Sequence, residues 1–183
     1  AQAQPESLQL DHARGVVAHA LAAWWRKQEF NARFRPQPLA TRKLSDESLL
    51  LAERLADFAA QLSIDEASFF LGRTYSSMLP AEYRSAHGVF YTPPAVVDRL
   101  LDNVEQAGID WAKHTVLDPA CGGGAFIGPV ARRMLHALGD ADPRVKVRSL
   151  VARLHGFELD PFSAWLTGCF TDAVVTEELG ELP

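Results

Sequence analysis

The chain has 183 residues and a net charge of −5, with 48% hydrophobic and 22% charged residues. These proportions are ordinary for a globular protein and exclude a disordered or fibrous chain. The acidic balance argues against a protein that grips duplex DNA alone, because neutralisation of phosphates by Lys and Arg supplies most of that affinity. One piece of a larger DNA-handling protein remains compatible with it.

Metal-binding and membrane-spanning patterns are weak. The two cysteines form no CxxC pair and the six histidines are scattered, so we expect no metal site and a reducing, cytoplasmic location. The longest apolar stretch, residues 16–25, is interrupted by His19. It is far short of the about 20 residues that a membrane span needs, and we expect no membrane partner.

Residues 1–85 predict an α-helical N-terminal region. A first helix over residues 7–31 places Val17, Leu21, Trp24 and Trp25 at helical spacing, and the Pro-rich residues 35–38 break it. Ser45 precedes a second helix, and Ser63 with Glu66 matches a capping box that opens a third. The second helix carries an apolar stripe predicted to face the core, made of Leu51, Leu55, Phe58 and Leu62.

Trp24 and Trp25 precede the basic pair Arg26 and Lys27. Aromatic and basic residues side by side are typical of a nucleic-acid or partner surface. Core packing of the helix, with a solvated basic end, is the favoured interpretation, and the surface role is the alternative.

Residues 86–183 predict strands as well as helices. An extended piece is followed by a helix from Pro93 to Gln106, a strand over residues 115–117, a glycine-rich turn and a helix to Leu138. A basic helix, a strand over 154–158 and a helix over 161–170 follow. This order predicts the start of an α/β fold. The basic helix is interpreted as a solvated face or as a stripe that contacts DNA phosphates, formed by Arg144, Lys146, Arg148 and Arg153.

The glycine-rich turn over residues 118–126 (DPACGGGAF) is the strongest feature. Three glycines between a strand end and a helix start let the backbone turn tightly and let a ligand approach closely. Asp118, at the strand end, is able to accept hydrogen bonds from an ammonium or hydroxyl group. Neither the GxGxxG nor the Walker spacing is present. The turn therefore favours a nucleoside-type ligand over a phosphate, with a plain structural turn as the alternative.

Glu158 ends the next predicted strand. An acid at this place in nucleotide-binding α/β folds takes the ribose hydroxyls, because each carboxylate oxygen accepts one O–H donor. The alternative is a surface acid that caps the following helix, a role that Asp160 before Pro161 fits better.

Three blocks in this order resemble those of the S-adenosyl-L-methionine-dependent N6-adenine DNA methyltransferases of restriction-modification systems. They are residues 88–93 (GVFYTP), 118–126 and 156–161 (GFELDP), and a helical lead-in at residues 71–75 (LGRTY) adds to them. The resemblance covers residues 69–170. It implies the first half of a Rossmann-like class I methyltransferase domain, α/β in class, at residues 86–183, preceded by the helical region 1–85.

The resemblance also implies roles for single residues. Asp118 accepts from the amino group of the cofactor, Glu158 binds its ribose and Leu159 packs on its adenine. Phe126 packs under the loop. The methionine end is bordered by Tyr91, Thr92 and Pro93, and the backbone turn is formed by Ala120, Cys121, Gly122 and Gly124. For Cys121 the position implies a small side chain rather than a nucleophile.

The family transfers the methyl group through an Asn/Asp-Pro-Pro-Tyr/Phe block, and nothing after Phe170 resembles it. We therefore assign no catalytic residue and expect the N-terminal portion of a longer enzyme, inactive alone, that meets DNA and a restriction or specificity subunit through the full-length protein. Two alternatives stay open: a methyltransferase acting on protein or RNA, and a non-enzymatic assembly or specificity module with a vestigial cofactor site. Exposed apolar faces on the second and third helices would favour the module.

Overall fold

The computed structural model describes residues 5–28 and 43–180. The chain divides into two compact units, Ala1–Phe90 and Tyr91–Pro183. The predicted break at residues 35–38 and the end of the predicted first helix lie outside the described residues.

The first unit contains four helices: α1 (Pro5–Lys27), α2 (Asp46–Ala59), α3 (Ile64–Met78) and α4 (Ala81–His87). The predicted helix starts are confirmed. Ser45 caps α2, and Ser63 and Glu66 form the capping box of α3. The predicted buried face of α1 is confirmed as well, because Val17, Leu21, Trp24 and Trp25 are buried.

The end of α1 is part of the core rather than a nucleic-acid surface. Trp24 and Trp25 are almost fully buried. The basic residues that follow form ion pairs with α2: Arg26 with Glu53, and Lys27 with Glu53 and Asp57. The core-packing interpretation is confirmed.

The predicted buried stripe of α2 is wrong for Leu51 and Phe58, and its other two residues, Leu55 and Leu62, are only half-buried. Ala52, Ala56 and Ala59 face the core instead, and Leu51 and Phe58 are 44% and 50% exposed. Helix α1, which packs against α2, buries large apolar side chains, among them Leu21 and Trp24. The small alanine side chains let α1 and α2 approach closely. Leu51 faces outward, and the half-exposed Phe58 ring packs beside Phe70 of α3, with 4.8 Å between the ring centroids.

The second unit contains helices α5 (Pro94–Gln106), α6 (Ile127–Ala137), α7 (Pro143–Arg153) and α8 (Pro161–Leu179), with strands β1 (Val116–Asp118) and β2 (Leu154–Gly156). The strands are parallel, in a register that pairs Val116 with Leu154 and Asp118 with Gly156. Helix α8 is buried around most of its circumference and packs against α6.

The predicted α/β class, half of a Rossmann-like domain, is wrong. The described residues form eight helices and two strands of three residues each. Helices bury most of the core, and a pair of such short strands does not amount to a sheet layer. The order of elements in the second unit was predicted correctly, but it does not measure how much of the chain each element occupies.

Ion pairs and a half-buried guanidinium fix the surroundings of the two strands. Arg133 of α6 pairs with Asp98, Asp102 and Glu105 of α5. Arg153, at the end of α7, donates to the carbonyls of Trp111 and His114, at 2.9 and 2.8 Å. Arg153 therefore holds the segment before β1 in place, and it does not belong to a solvated or DNA-facing stripe.

Candidate functional site

The glycine-rich loop between β1 and α6 is a tight turn that depends on glycine. Gly122 and Gly124 have φ angles of 54° and 93°, in the left-handed region that other residues rarely adopt. The Gly124 N–H donates to the Cys121 carbonyl at 2.8 Å. The turn is therefore closed by its own backbone hydrogen bond.

Backbone pairing between the two strands continues past their ends. The Phe157 N–H donates to the Asp118 carbonyl, and the Cys121 N–H donates to the Phe157 carbonyl, each at 2.9 Å. The segment that follows β2 thus runs beside the glycine loop. This pairing is what carries Glu158 to the loop.

Both carboxylate oxygens of Glu158 accept backbone N–H groups. Gly122 donates to Oε2 and Asp160 donates to Oε1, each at 2.8 Å. A carboxylate offers about four lone-pair positions, so each oxygen keeps capacity for one further donor. The carboxylate is therefore oriented by the protein and still able to accept two hydroxyl groups.

Asp118 is the second carboxylate beside the loop. Its Oδ1 accepts the Ala120 N–H at 3.1 Å, and the side chain is half-buried. Burial raises the pKa of the nearby Cys121 thiol, and the charges of Asp118 and Glu158 raise it further. The thiol is buried and protonated, so Cys121 is not an activated nucleophile. The site combines a glycine turn with two negative charges.

Tyr91 is packed against the loop rather than open to it. A Cβ added at Gly123 would collide with Cε1 of the Tyr91 ring. The Tyr91 hydroxyl lies 3.1 Å from Ser163 Oγ, and burial, with smaller effects of the charges of Asp160 and Glu158, raises the pKa of Tyr91 well above its ordinary value. Gly123 is thus required by the ring that covers it.

Asp160 caps α8, as the sequence indicated, and it is fully buried. Its Oδ2 accepts both the backbone N–H and the hydroxyl of Ser163, at 3.0 and 2.8 Å. Since the Ser163 proton goes to Asp160, the Tyr91 hydroxyl is the donor to Ser163. A chain of hydrogen bonds therefore joins Tyr91 to the start of α8.

Thr167 of α8 is a site residue that the sequence analysis missed. Its hydroxyl donates to the Gly122 carbonyl at 2.7 Å and lies 3.8 Å from Cys121 Sγ. A Cβ added at Gly124 would meet the Thr167 backbone at 3.2 Å. The sequence offers no signal for this contact, because Gly122 is 45 residues away and α8 carries further hydroxyl groups at Ser163, Thr171 and Thr176.

The other predicted site residues lie at the edge of this cluster. Leu159 is 77% exposed, Ala120 is exposed and Phe126, half-buried, directly precedes α6. Pro93 precedes α5. Within the described part of the chain, no hydrogen bond joins Thr92 or Pro93 to the loop.

A cavity of about 310 Å³ adjoins the loop between α6, α7, β2 and α8. Cys121 and Glu158 line it, whereas Asp118 and Tyr91 do not. Its remaining walls are mostly apolar, with Leu150 and Val151 from α7 and Ala164 from α8. The cavity thus places an apolar space beside the Glu158 carboxylate.

The part of the chain that the structure describes shows neither a metal-binding cluster nor a membrane-spanning helix. Among residues 5–28 and 43–180, no three His, Cys, Asp or Glu side chains are grouped so as to hold a metal ion. No helix in the same part of the chain has the length and apolar character needed to cross a bilayer.

Comparison with known proteins gives one weak similarity. The chain is 29% identical, over 118 residues, to the adenine-specific methyltransferase PglX of Streptomyces coelicolor. This chain is similar to a methyltransferase. The match covers 58% of this chain and 10% of the relative, so the activity, substrate and partners of a whole protein are proposals here. No protein-family model and no solved structure match the chain.

Proposed function

We propose that residues 86–183 are the S-adenosyl-L-methionine-binding part of an adenine-specific DNA methyltransferase. The observation that carries this proposal is the hydrogen bond from the Gly122 N–H to the Glu158 carboxylate, 2.8 Å long across 36 residues of chain. This hydrogen bond holds Glu158 beside the glycine turn, and the Glu158 carboxylate is still able to accept two more hydrogen bonds. The similarity to a methyltransferase supports the same conclusion.

The charge of the site suits this cofactor. S-adenosyl-L-methionine carries a positive sulfonium and an ammonium group, and its ribose offers two hydroxyl donors. Two carboxylates at a glycine turn attract such a ligand and repel a phosphate. Asp118 would accept from the ammonium group and Glu158 from the ribose. When bound, the cofactor supplies an activated methyl group.

The remaining residues would complete the binding surface. Leu159 would pack on the adenine ring, and its large exposed fraction leaves it accessible for that contact. The methionine end would be bordered by Tyr91, Thr92 and Pro93. The backbone turn would be supplied by Ala120, Cys121, Gly122 and Gly124.

The methyl acceptor in this proposal is the amino group of adenine in DNA. An adenine must leave the duplex before an enzyme reaches it, and aromatic and amide groups must hold it there. The 183 residues contain no Asn/Asp-Pro-Pro-Tyr/Phe block. We therefore expect this chain to bind the cofactor without methylating DNA, and we expect DNA and any restriction or specificity subunit to be contacted by a longer protein.

Calorimetric titration of the 183-residue chain with S-adenosyl-L-methionine tests the proposal. We expect saturable binding, and at least about tenfold weaker binding by Asp118→Ala and Glu158→Ala, because each loses hydrogen bonds to a charged group. Asp140→Ala is the matched control, since Asp140 is an exposed carboxylate of the same unit outside the site. It should bind as the wild type does.

Circular dichroism must show that each variant is folded. A folded wild-type chain that gives no saturable heat would contradict the proposal. So would a pair of folded Asp118 and Glu158 variants that bind as tightly as the Asp140 control.

One observation favours a second function, a non-enzymatic assembly module. Leu50 and Leu51 of α2 are 56% and 44% exposed, and an exposed apolar face supports that alternative. The expected exposed face on α3 is not present, because the large apolar side chains of α3 are buried or half-buried. The same titration separates the two, since a module with a vestigial site should not bind the cofactor. The two carboxylates retained at the loop favour the methyltransferase.

A further inference from the structure

Gly122 has both of its backbone polar groups held by side chains from elsewhere in the chain. Its N–H donates to Glu158 at 2.8 Å, and its carbonyl accepts the Thr167 hydroxyl at 2.7 Å. Its φ of 54° is left-handed, a conformation that glycine permits but does not prefer over others. The two side chains therefore select one of several conformations open to this residue.

Thr167 is well placed to act as a fixed point. It lies in the second turn of α8, a buried helix of 19 residues, and only 9% of its surface is exposed. The Thr167 backbone also lies against Gly124, since a Cβ added there would meet the Thr167 Cα at 3.2 Å. One residue of a buried helix thus contacts the loop at both Gly122 and Gly124.

We infer that Thr167 is a positioning residue for the proposed cofactor site, acting through the Gly122 carbonyl. The inference rests on the proposed function and deepens it. Loss of the hydroxyl frees the peptide that follows Gly122, and rotation about Gly122 then redirects its N–H. Because that N–H orients Glu158, the carboxylate loses its fixed direction toward the ribose.

Two variants of the full 183-residue chain separate the hydroxyl from the shape of the side chain. Thr167→Val keeps the shape and removes the hydroxyl, whereas Thr167→Ser keeps the hydroxyl. Thr176→Val is the matched control, because the Thr176 hydroxyl bonds within α8 to the Asp172 carbonyl. All three are compared with the wild type by amide hydrogen exchange and by calorimetry with S-adenosyl-L-methionine.

The unliganded chain gives the first result. In Thr167→Val we expect the Gly122 and Gly124 amides to exchange about three- to tenfold faster than in the wild type, which corresponds to loss of one hydrogen bond. Thr167→Ser and Thr176→Val should exchange within about twofold of the wild type. Unchanged exchange in Thr167→Val would overturn the inference, whether or not the cofactor binds.

The liganded chain gives the second result. Cofactor affinity should fall about three- to tenfold in Thr167→Val and recover in Thr167→Ser. A wild-type chain that binds no cofactor would overturn the proposed function, while the exchange data would still decide whether Thr167 positions the loop. Wild-type affinity in Thr167→Val would overturn the inference alone.

Discussion

The Tyr91 ring covers Gly123 so closely that a Cβ added there would collide with it. Gly123→Ala should therefore lower the free energy of unfolding by about 1–3 kcal/mol, the usual cost of overpacking. Gly168→Ala is the control: Gly168 lies inside α8 and an added Cβ meets nothing within 4 Å. It should raise the free energy of unfolding by about 0.5–1 kcal/mol, because alanine favours helices.

Urea denaturation of both variants measures the difference. Tyr91→Ala should remove most of the additional cost of Gly123→Ala in a double-mutant cycle. Equal stability of the Gly123 and Gly168 variants would mean that the ring does not lie against the loop.

Asp172 gives the stability of the chain a pH dependence of its own. Burial in α8 raises the pKa of Asp172 to about 6, against about 3.9 in an unfolded chain. The folded state thus holds this proton more tightly. The Asp172 contribution favours folding below about pH 4 and diminishes as the pH rises through about 6.

Asp172→Asn removes this carboxylate while keeping its size. We expect the variant to melt at a higher temperature than the wild type at pH 7.5, and we expect the gain to shrink toward pH 4. Thermal melts at several pH values provide the measurement, with Asp140→Asn as an exposed control. A gain that is constant across this range would show that Asp172 is not desolvated.

At the residue scale, the sequence was informative where a short pattern carries the chemistry. The glycine turn and its neighbouring acids drew attention to Asp118 and Glu158. The roles proposed for them remain predictions. Thr167 and Ser163 were not found, because their partners, Gly122 and Tyr91, are 45 and 72 residues away. A hydroxyl inside a helix does not reveal such a partner.

Among the elements, α2 gives the clearest test of which helix face is buried, because the structure buries a different face from the one predicted. Leu51→Gln should change the free energy of unfolding by no more than about 0.5 kcal/mol, as expected for an exposed site. Ala56→Leu should cost about 1–3 kcal/mol, since Ala56 is fully buried. Urea denaturation measures both, and the reverse order would restore the leucine face as the buried one.

The elements also show which local signals were reliable. Helix starts with Ser45, Ser63 and Asp160 as caps were predicted from the cap residues alone, because capping is a local interaction. The buried face of α2 was not, because it depends on the helix that packs against it. Two apolar faces compete on α2, and the alanine face is the one that fits α1.

At the scale of the whole molecule, the chain is mostly helical, and its two short strands hold one loop against one acid. We predicted an α/β class from the order of strands and helices alone, and this order contains no information on how long each element is. A buried 19-residue α8 and a buried three-turn α6 dominate the second unit. The fold class was therefore predicted wrongly. The contact between the glycine turn and Glu158 follows from the register in which the two strands pair.

The most direct test of the central claim is a crystal structure of the 183-residue chain with S-adenosyl-L-methionine. We predict that both ribose hydroxyls lie about 2.6–3.0 Å from the Glu158 carboxylate oxygens, the usual range for such hydrogen bonds. The amino group should lie beside Asp118. Cofactor bound away from Glu158, or an empty site at saturating cofactor concentration, would contradict the account.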